Sequence, residues 1–342
     1  MTEFSDSMPD PMPDPSSDPL NDAYDVLVVG GGAAGLNGAL MLARSRRSVA
    51  VIDAGRPRNA PADRVHGLLG REGTPPAELL ARGRAEVRSY GGHVVSGEVT
   101  GVIKAPDGSN GSDSFEVTLT DGRVSRARRL LVTIGLVDEL PDVAGLAERW
   151  GDNVIHCPYC HGWEARDKAI GVLGSGPMSL HQVLLFRQLS EDIVFLTHTM
   201  PQLTDEQREQ LDARDIRIVE GIVTGWEPEG VRLADGTLIP REVLVVGPRF
   251  ALRADFLADL GLRPVEHPTG AGVHIPADAT GRSSVPGLWL AGNVTDPSAQ
   301  VGSAAAAGAW AAAQINADLV AEETRLAVEA RVAGFTTLAT RT

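Results

Sequence analysis

The 342-residue chain has two cysteines and few aromatic residues, at 4%. Two cysteines cannot build a disulfide framework or supply the four thiolates of an all-cysteine zinc centre. No apolar run approaches the roughly 18 residues of a membrane span, which excludes a helical membrane protein as the sequence reading. Basic residues are also in deficit, with 31 Lys and Arg against 45 Asp and Glu and a net charge of -14. Such a chain is repelled by nucleic acid and by anionic membranes, so neither is an expected partner. The opening segment, "MTEFSDSMPDPMPDPSSDPLNDAY", lacks the apolar core of a signal peptide. Residues 1–21 read as a disordered N-terminal tail, and the expected compartment is the cytoplasm, where a stable structural disulfide is rare.

What is abundant is glycine, at 38 residues. In "YDVLVVGGGAAGLNGALMLARSRRSVAVIDAG" the run Val26–Val29 reads as a buried parallel strand. Gly30, Gly32 and Gly35 follow as G-x-G-x-x-G, then an apolar-spaced helix through Leu42 and a second strand closed by Asp53. Glycines between a strand and a helix, with an acid at the next strand end, are the pattern of a dinucleotide site. The helix N-terminus faces the pyrophosphate and the acid takes a ribose hydroxyl. A second unit of the same kind spans residues 168–198, with Gly174 and Gly176 but Ser179 at the third place. Its second strand runs into "THTMPQL", which offers neither an acid for a ribose diol nor an Arg pair for a 2′-phosphate. Residues 285–315 form a strand, a loop and a helix of small residues beginning near Gln300. The expected fold is α/β, with two Rossmann-like dinucleotide-binding domains, the second inserted in the first.

Both cysteines fall in "HCPYCHGWE", residues 156–164. The spacing fits haem c attachment, zinc, a brace or redox exchange. Haem c is attached outside the cytoplasm, zinc lacks a second cysteine pair, and the compartment disfavours a brace. Reversible disulfide exchange fits best, since a neighbouring imidazolium or amide dipoles can lower a thiol pKa from about 8.5.

Taken in order, the glycine motif with Asp53, "TIG" at 133–135, "CPYCHGWEARDKAIGVLGSG" at 157–176 and "AGNVTDPSAQVGSAAAAG" at 291–308 resemble the low-molecular-weight thioredoxin reductase family. The likeness covers about residues 22–325. It implies an FAD domain over 22–141 and 249–325, an inserted NADPH-domain-like unit over 142–248 carrying the cysteines, a C-terminal tail over 326–342, and a homodimer. Three positions depart from the family. His161 stands where an acid follows the second cysteine, His198 alone remains of a nucleotide-phosphate cluster, and Asn293 replaces the acid after the final Ala-Gly. With these departures the chain is most similar to the dithiol oxidases of gliotoxin and holomycin biosynthesis, which close a disulfide in a small natural product and pass its electrons through FAD to oxygen.

The resemblance implies that Gly30, Gly32 and Gly35 line the FAD pyrophosphate and Asp53 the ribose. It sets Asn59 and His66 on the flavin side, Val99 near the adenine, and Thr133 and Gly135 close to the nucleotide. Gly292, Asn293, Gln300 and Val301 would cover the ribityl chain and ring. Cys157 would form the mixed disulfide with a small-molecule dithiol, Cys160 would face the flavin, and His161 would remove substrate protons unless it is a structural turn residue. Oxygen would be the final acceptor, giving hydrogen peroxide. The competing readings are a thioredoxin or disulfide reductase fed by NADPH or ferredoxin, and a flavin-bound redox sensor without turnover.

Overall fold

In a computed structural model, the protein is described over residues 17–106 and 113–339. Buried apolar runs make its central strands. Ala23–Val29 (β1), the helix Ala33–Arg44 (α1), Val49–Asp53 (β2), the helix Pro76–Ser89 (α2) and His93–Ser96 (β3) form the first half of an open sheet. Val99–Pro106 (β4), Asp113–Leu119 (β5) and Val124–Val132 (β6) complete the order β3-β2-β1-β6-β5-β4. Part of the expected polar hairpin between β4 and β5, residues 107–112, lies outside the described residues.

After β6 the chain leaves through Val137–Glu139 (β7) into a second sheet. Its elements are Val154–Ile155 (β8), the single turn Pro158–His161 (α3), Ile170–Leu173 (β9), the helix Ser179–Phe186 (α4), Ile193–Leu196 (β10), the helix Asp205–Asp212 (α5) and Arg217–Val219 (β11). An antiparallel meander follows, Val223–Glu227 (β12), Gly230–Leu233 (β13) and Leu238–Pro240 (β14), before Val243–Val245 (β15) returns to the sheet. The parallel order is β11-β10-β9-β15-β8. The return strand Arg249–Ala251 (β16) pairs antiparallel with β7, so the way into and the way out of the inserted sheet lie side by side.

The remainder is Val265–Glu266 (β17) paired with Val273–His274 (β18), then Leu288–Leu290 (β19) and the helix Val301–Ala339 (α6). The strand β19 joins the first sheet from the far end of the sequence, parallel to the last residues of β6. Apolar cores cover both faces of each large sheet, which is why strands such as β1, β9 and β10 read as continuous hydrophobic runs. α6 closes against α1 with no room for side chains: a Cβ on Gly308 would stand 1.9 Å from the Ala34 carbonyl oxygen. Ion pairs secure it further, Arg47 and Arg128 to Glu323 and Arg129 to Asp318.

Two expectations about the ends change. The segment expected as a tail from residue 326 continues α6 as helix to Ala339. Of the expected N-terminal tail, residues 1–16 lie outside the described residues, while Asp18 accepts from the Val94 amide at 2.7 Å and from Arg88 Nε at 2.8 Å. Burial is the largest single influence and pushes its carboxyl up, but the hydrogen bonds from Val94 and Arg88 and the charges of Arg88 and His93 together hold it below the usual range.

Candidate functional site

A cavity of about 1020 Å³ runs between the two large sheets and under the start of α6. That is the upper end of ligand-pocket sizes, roughly 300–1,000 Å³. Its wall brings together Gly30, Gly32, Asp53, Asn59, His66, Val99, Thr133, Gly135, Cys157, Cys160, His161, Gly292, Asn293, Gln300 and Val301.

Gly35 is the exception among the residues assigned to the site. A Cβ there would meet the Gly30 carbonyl oxygen at 1.9 Å and Thr133 Oγ1 at 2.6 Å. This glycine lets helix and strand touch instead of lining the cavity, so its expected place on the pyrophosphate is corrected to packing. Thr133 is similarly occupied, its hydroxyl donating to Val29 O at 3.1 Å or Gly30 O at 2.8 Å and tying β6 to the turn. Asn293 turns its amide NH2 onto its own loop, at 2.8 Å from Ala299 O and 3.0 Å from Asp296 O, which leaves Oδ1 for a ligand.

The turn before α1 fits a dinucleotide. No side chain caps the helix, no acid sits in its first turn, and a Cβ on Gly32 would meet nothing within 4 Å. The first amides of α1 are therefore open to an anion. The Asp53 carboxylate lies against the same turn, so close that a Cβ on Gly31 would be 2.5 Å from it. One of its oxygens accepts from the Gly55 amide at 3.0 Å, which fixes the carboxylate at the strand end.

The corresponding turn in the inserted sheet also has an uncapped helix, no acid in the first turn and free space at Gly176, but two of its amides are bonded internally. Ser179 is 1% exposed, and its hydroxyl accepts from the Ser175 and Gly176 amides, each at 3.2 Å. Two amides of this turn therefore already have a partner inside the protein. His198 sits at φ 43° with Nδ1 accepting from the Val223 amide at 3.0 Å, and it does not line the cavity. Burial lowers its pKa.

Cys157 and Cys160 are joined as a disulfide with Cα atoms 5.2 Å apart, bracketing the one-turn α3 after β8. Both ring nitrogens of His161 are buried without a hydrogen-bond partner. Burial lowers its pKa, opposed by Glu164 and assisted by His66, so the ring is neutral at pH 7. His66 is bound through Nδ1 to Glu72 at 2.5 Å, with Nε2 3.6 Å from Glu164. That contact holds the Glu72 carboxyl below its usual range. Exposed Tyr159 and Trp163 flank the pair, and Arg166 stacks on Trp163 at 4.2 Å.

Three functional contacts are absent from the sequence reading. In sequence Ser179 is only a missing glycine, and its cap depends on a rotamer that sequence does not show. Arg58 forms a two-pronged pair with Asp138 at 2.8 and 2.9 Å and covers the Phe250 ring at 5.0 Å, joining the loop after β2 to both crossing strands. Gln182, on α4, reaches His156 beside the first cysteine. Only His156 carried a signal, its adjacency to Cys157. Among the described residues no group of His, Cys, Asp and Glu could hold a metal, and no helix is long and apolar enough to cross a membrane.

Known proteins resemble this chain in sequence and fold. The sequence profile of the pyridine nucleotide-disulphide oxidoreductases matches residues 24–313. Thioredoxin reductase tcpT of Claviceps purpurea is 30% identical over 86% of this chain and 95% of its own. The crystal structure of HlmI is 41% identical and superposes with a TM-score of 0.85, covering 93% of this chain and 99% of that one. An oxidoreductase from Agrobacterium tumefaciens is 35% identical with a TM-score of 0.81, over 87% of this chain and 99% of that one.

Proposed function

The chain belongs to the pyridine nucleotide-disulphide oxidoreductase family, and from that premise we propose that it oxidises a small dithiol to an intramolecular disulfide, with oxygen as acceptor. The balance is one dithiol and one oxygen giving one cyclic disulfide and one hydrogen peroxide. The observation that carries the reading is the contrast on one cavity wall: a dinucleotide turn with Asp53 beside it, a cysteine pair, and a second such turn with two amides bonded to Ser179 and no acid at the next strand end.

FAD is the group this reading assigns to the open turn, held by the α1 amides and Asp53 with Gly292, Gln300 and Val301 beyond. When bound, it would supply a two-electron relay between the cysteine pair and oxygen. The residues of the chain handle thiols and protons. A substrate thiolate attacks Cys157, the Cys157–Cys160 bond breaks, and Cys160 leaves as thiolate. The tethered second thiol of the substrate then attacks its own mixed disulfide and releases Cys157. Tethering makes this step fast, since effective molarities of oriented intramolecular reactions reach about 10⁵ M or more. His161, neutral and with both nitrogens unpartnered, is the base for the substrate protons. HlmI supports the reading as a similar chain, and the proposed partners are a small-molecule dithiol, oxygen and a second copy of this chain.

The relative named thioredoxin reductase favours a second reading, disulfide reduction fed by an electron donor. Oxygen uptake with matched mono- and dithiols, with peroxide measured in parallel, separates the two. The oxidase reading expects stoichiometric peroxide with dithiols and slow uptake with monothiols. No uptake with any dithiol leaves the reductase.

A further inference from the structure

His156 and Gln182 have no part in the chemistry so far. We propose that they are a positioning pair: Gln182 fixes the His156 tautomer so that an imidazole N–H faces the cavity beside Cys157 and supports the thiolate leaving from that cysteine. This rests on the exchange role proposed for Cys157.

The geometry carries the argument. His156 follows β8 and precedes Cys157, and it lines the cavity. Gln182, 4% exposed on α4, places Nε2 at 3.1 Å from the His156 carbonyl oxygen and 2.9 Å from His156 Nδ1. A carbonyl only accepts, so this end of the amide must be the NH2 group. Its other hydrogen then meets Nδ1 at 2.9 Å, the shorter of the two contacts to that nitrogen, and we infer that Nδ1 presents its lone pair there, against the Val246 carbonyl oxygen at 3.1 Å. The ring proton of neutral His156 is left on Nε2, the nitrogen without a protein partner.

Val246 O lies 3.1 Å from the same Nδ1 and takes its proton whenever the ring becomes charged. Nε2 therefore carries a proton in both charge states. The groups facing the ring are Arg58 from the loop after β2, Asp138 on β7, His161 on α3 and the edge-on Phe250 on β16. Burial, assisted by Arg58 and His161 and opposed by the Val246 hydrogen bond and by Asp138, keeps the ring neutral at pH 7. Gln182 gives up something for this arrangement, because its Oε1 is buried without any partner. A buried orphan of that kind calls for a reason beyond packing. In the inserted sheet, the helix that follows the nucleotide turn thus serves the cysteine loop.

The test uses a Cys160→Ser background, in which Cys157 is the sole thiol of the chain. Iodoacetamide alkylation of Cys157 is followed from pH 5 to 9, a readout that needs neither dithiol turnover nor oxygen and so stands apart from the proposed reaction. Gln182→Met frees the neutral ring to move its proton to Nδ1 and Val246 O, removing the donor from Nε2. Alkylation near pH 7 should slow by about tenfold, the size expected for losing a hydrogen bond to a charged group. That deficit should close as the pH is lowered and the ring becomes charged, since the charged ring offers Nε2–H without help. His156→Phe, which keeps the ring packing, should stay about tenfold slow at both pH 5 and pH 7. A Gln182→Met deficit equal at every pH would reduce the pair to packing, and unchanged profiles in both variants would overturn the proposal. If one variant does not fold, the other still decides.

Discussion

The two Rossmann-like units start from similar sequence and end in different states. In the first, the strand β1 runs into glycines that leave the amides of α1 bare, with Asp53 waiting at the next strand end. In the second, β9 runs into a turn with two amides taken by Ser179, and β10 ends at Thr197 and His198 with no acid. The second turn keeps the backbone path of the first but supplies an internal acceptor for two of its amides.

The sharpest break between the units is expected at the cysteines. Cys160→Ser should abolish steady dithiol turnover and accumulate substrate on Cys157 by mass spectrometry, while flavin retention by the first unit is unaffected. An adduct found only with Cys157→Ser would reverse the order of the two sulfurs. Next in size, Asp53→Asn should weaken FAD retention by roughly tenfold or more, the loss of one charge-assisted hydrogen bond, as read by flavin release on dilution. The cysteine pair should exchange with dithiothreitol at an unchanged rate in that variant.

Ser179→Gly probes the second turn. Losing two hydrogen bonds should cost about 1–2 kcal/mol of stability in urea unfolding. NADPH should still fail to reduce the flavin rapidly, because β10 ends without a ribose acid or a phosphate clamp. Rapid reduction by micromolar NADPH in the unmutated protein would break the comparison at its root. The smallest effect is on pH. His156, His161 and His198 belong to the inserted unit against His274 in the first, and burial lowers each pKa below the unfolded value. Between the folded and unfolded values the unfolded chain binds more protons, so stability is complete above about pH 6.5 and falls as pH drops below it. The inserted unit should lose its structure at a higher pH than the first, as followed by hydrogen exchange of β9 and β10 against β1 and β6.

Much of this was legible in the chain. Continuous apolar runs gave β1, β2, β9 and β10, because a sheet covered on both faces needs no alternation. The glycine spacing located both turns, and the cysteine pair was placed beside the flavin motif through its position ahead of the second turn. Gly35 was misplaced because glycine for ligand approach and glycine for packing look identical in one dimension. The last turns of α6 carry apolar residues at helical spacing, Val328, Val332 and Phe335, so a helix in place of a tail is legible there as well. Contacts such as Gln182 with His156 and Arg58 with Asp138 join residues 26 and 80 positions apart. No periodicity reports such pairs.

The late arrival of β19 and α6 sets an order of assembly on the ribosome. The inserted unit is contiguous in sequence and can close as soon as β15 has emerged, whereas the first unit waits for a strand and a helix made last. Between Val29 and Gly292 lie 263 positions, which at about 5–20 residues per second is tens of seconds of synthesis. Through that interval the open glycine turn has no α6 against it, and the edge of β6 that β19 will occupy is unpaired. On the proposed assignment of FAD to this turn, its capture is expected to be a terminal event in the life of the nascent chain. A truncation before residue 288 is expected to yield an inserted unit that keeps its cysteine pair but a first unit that aggregates without colour.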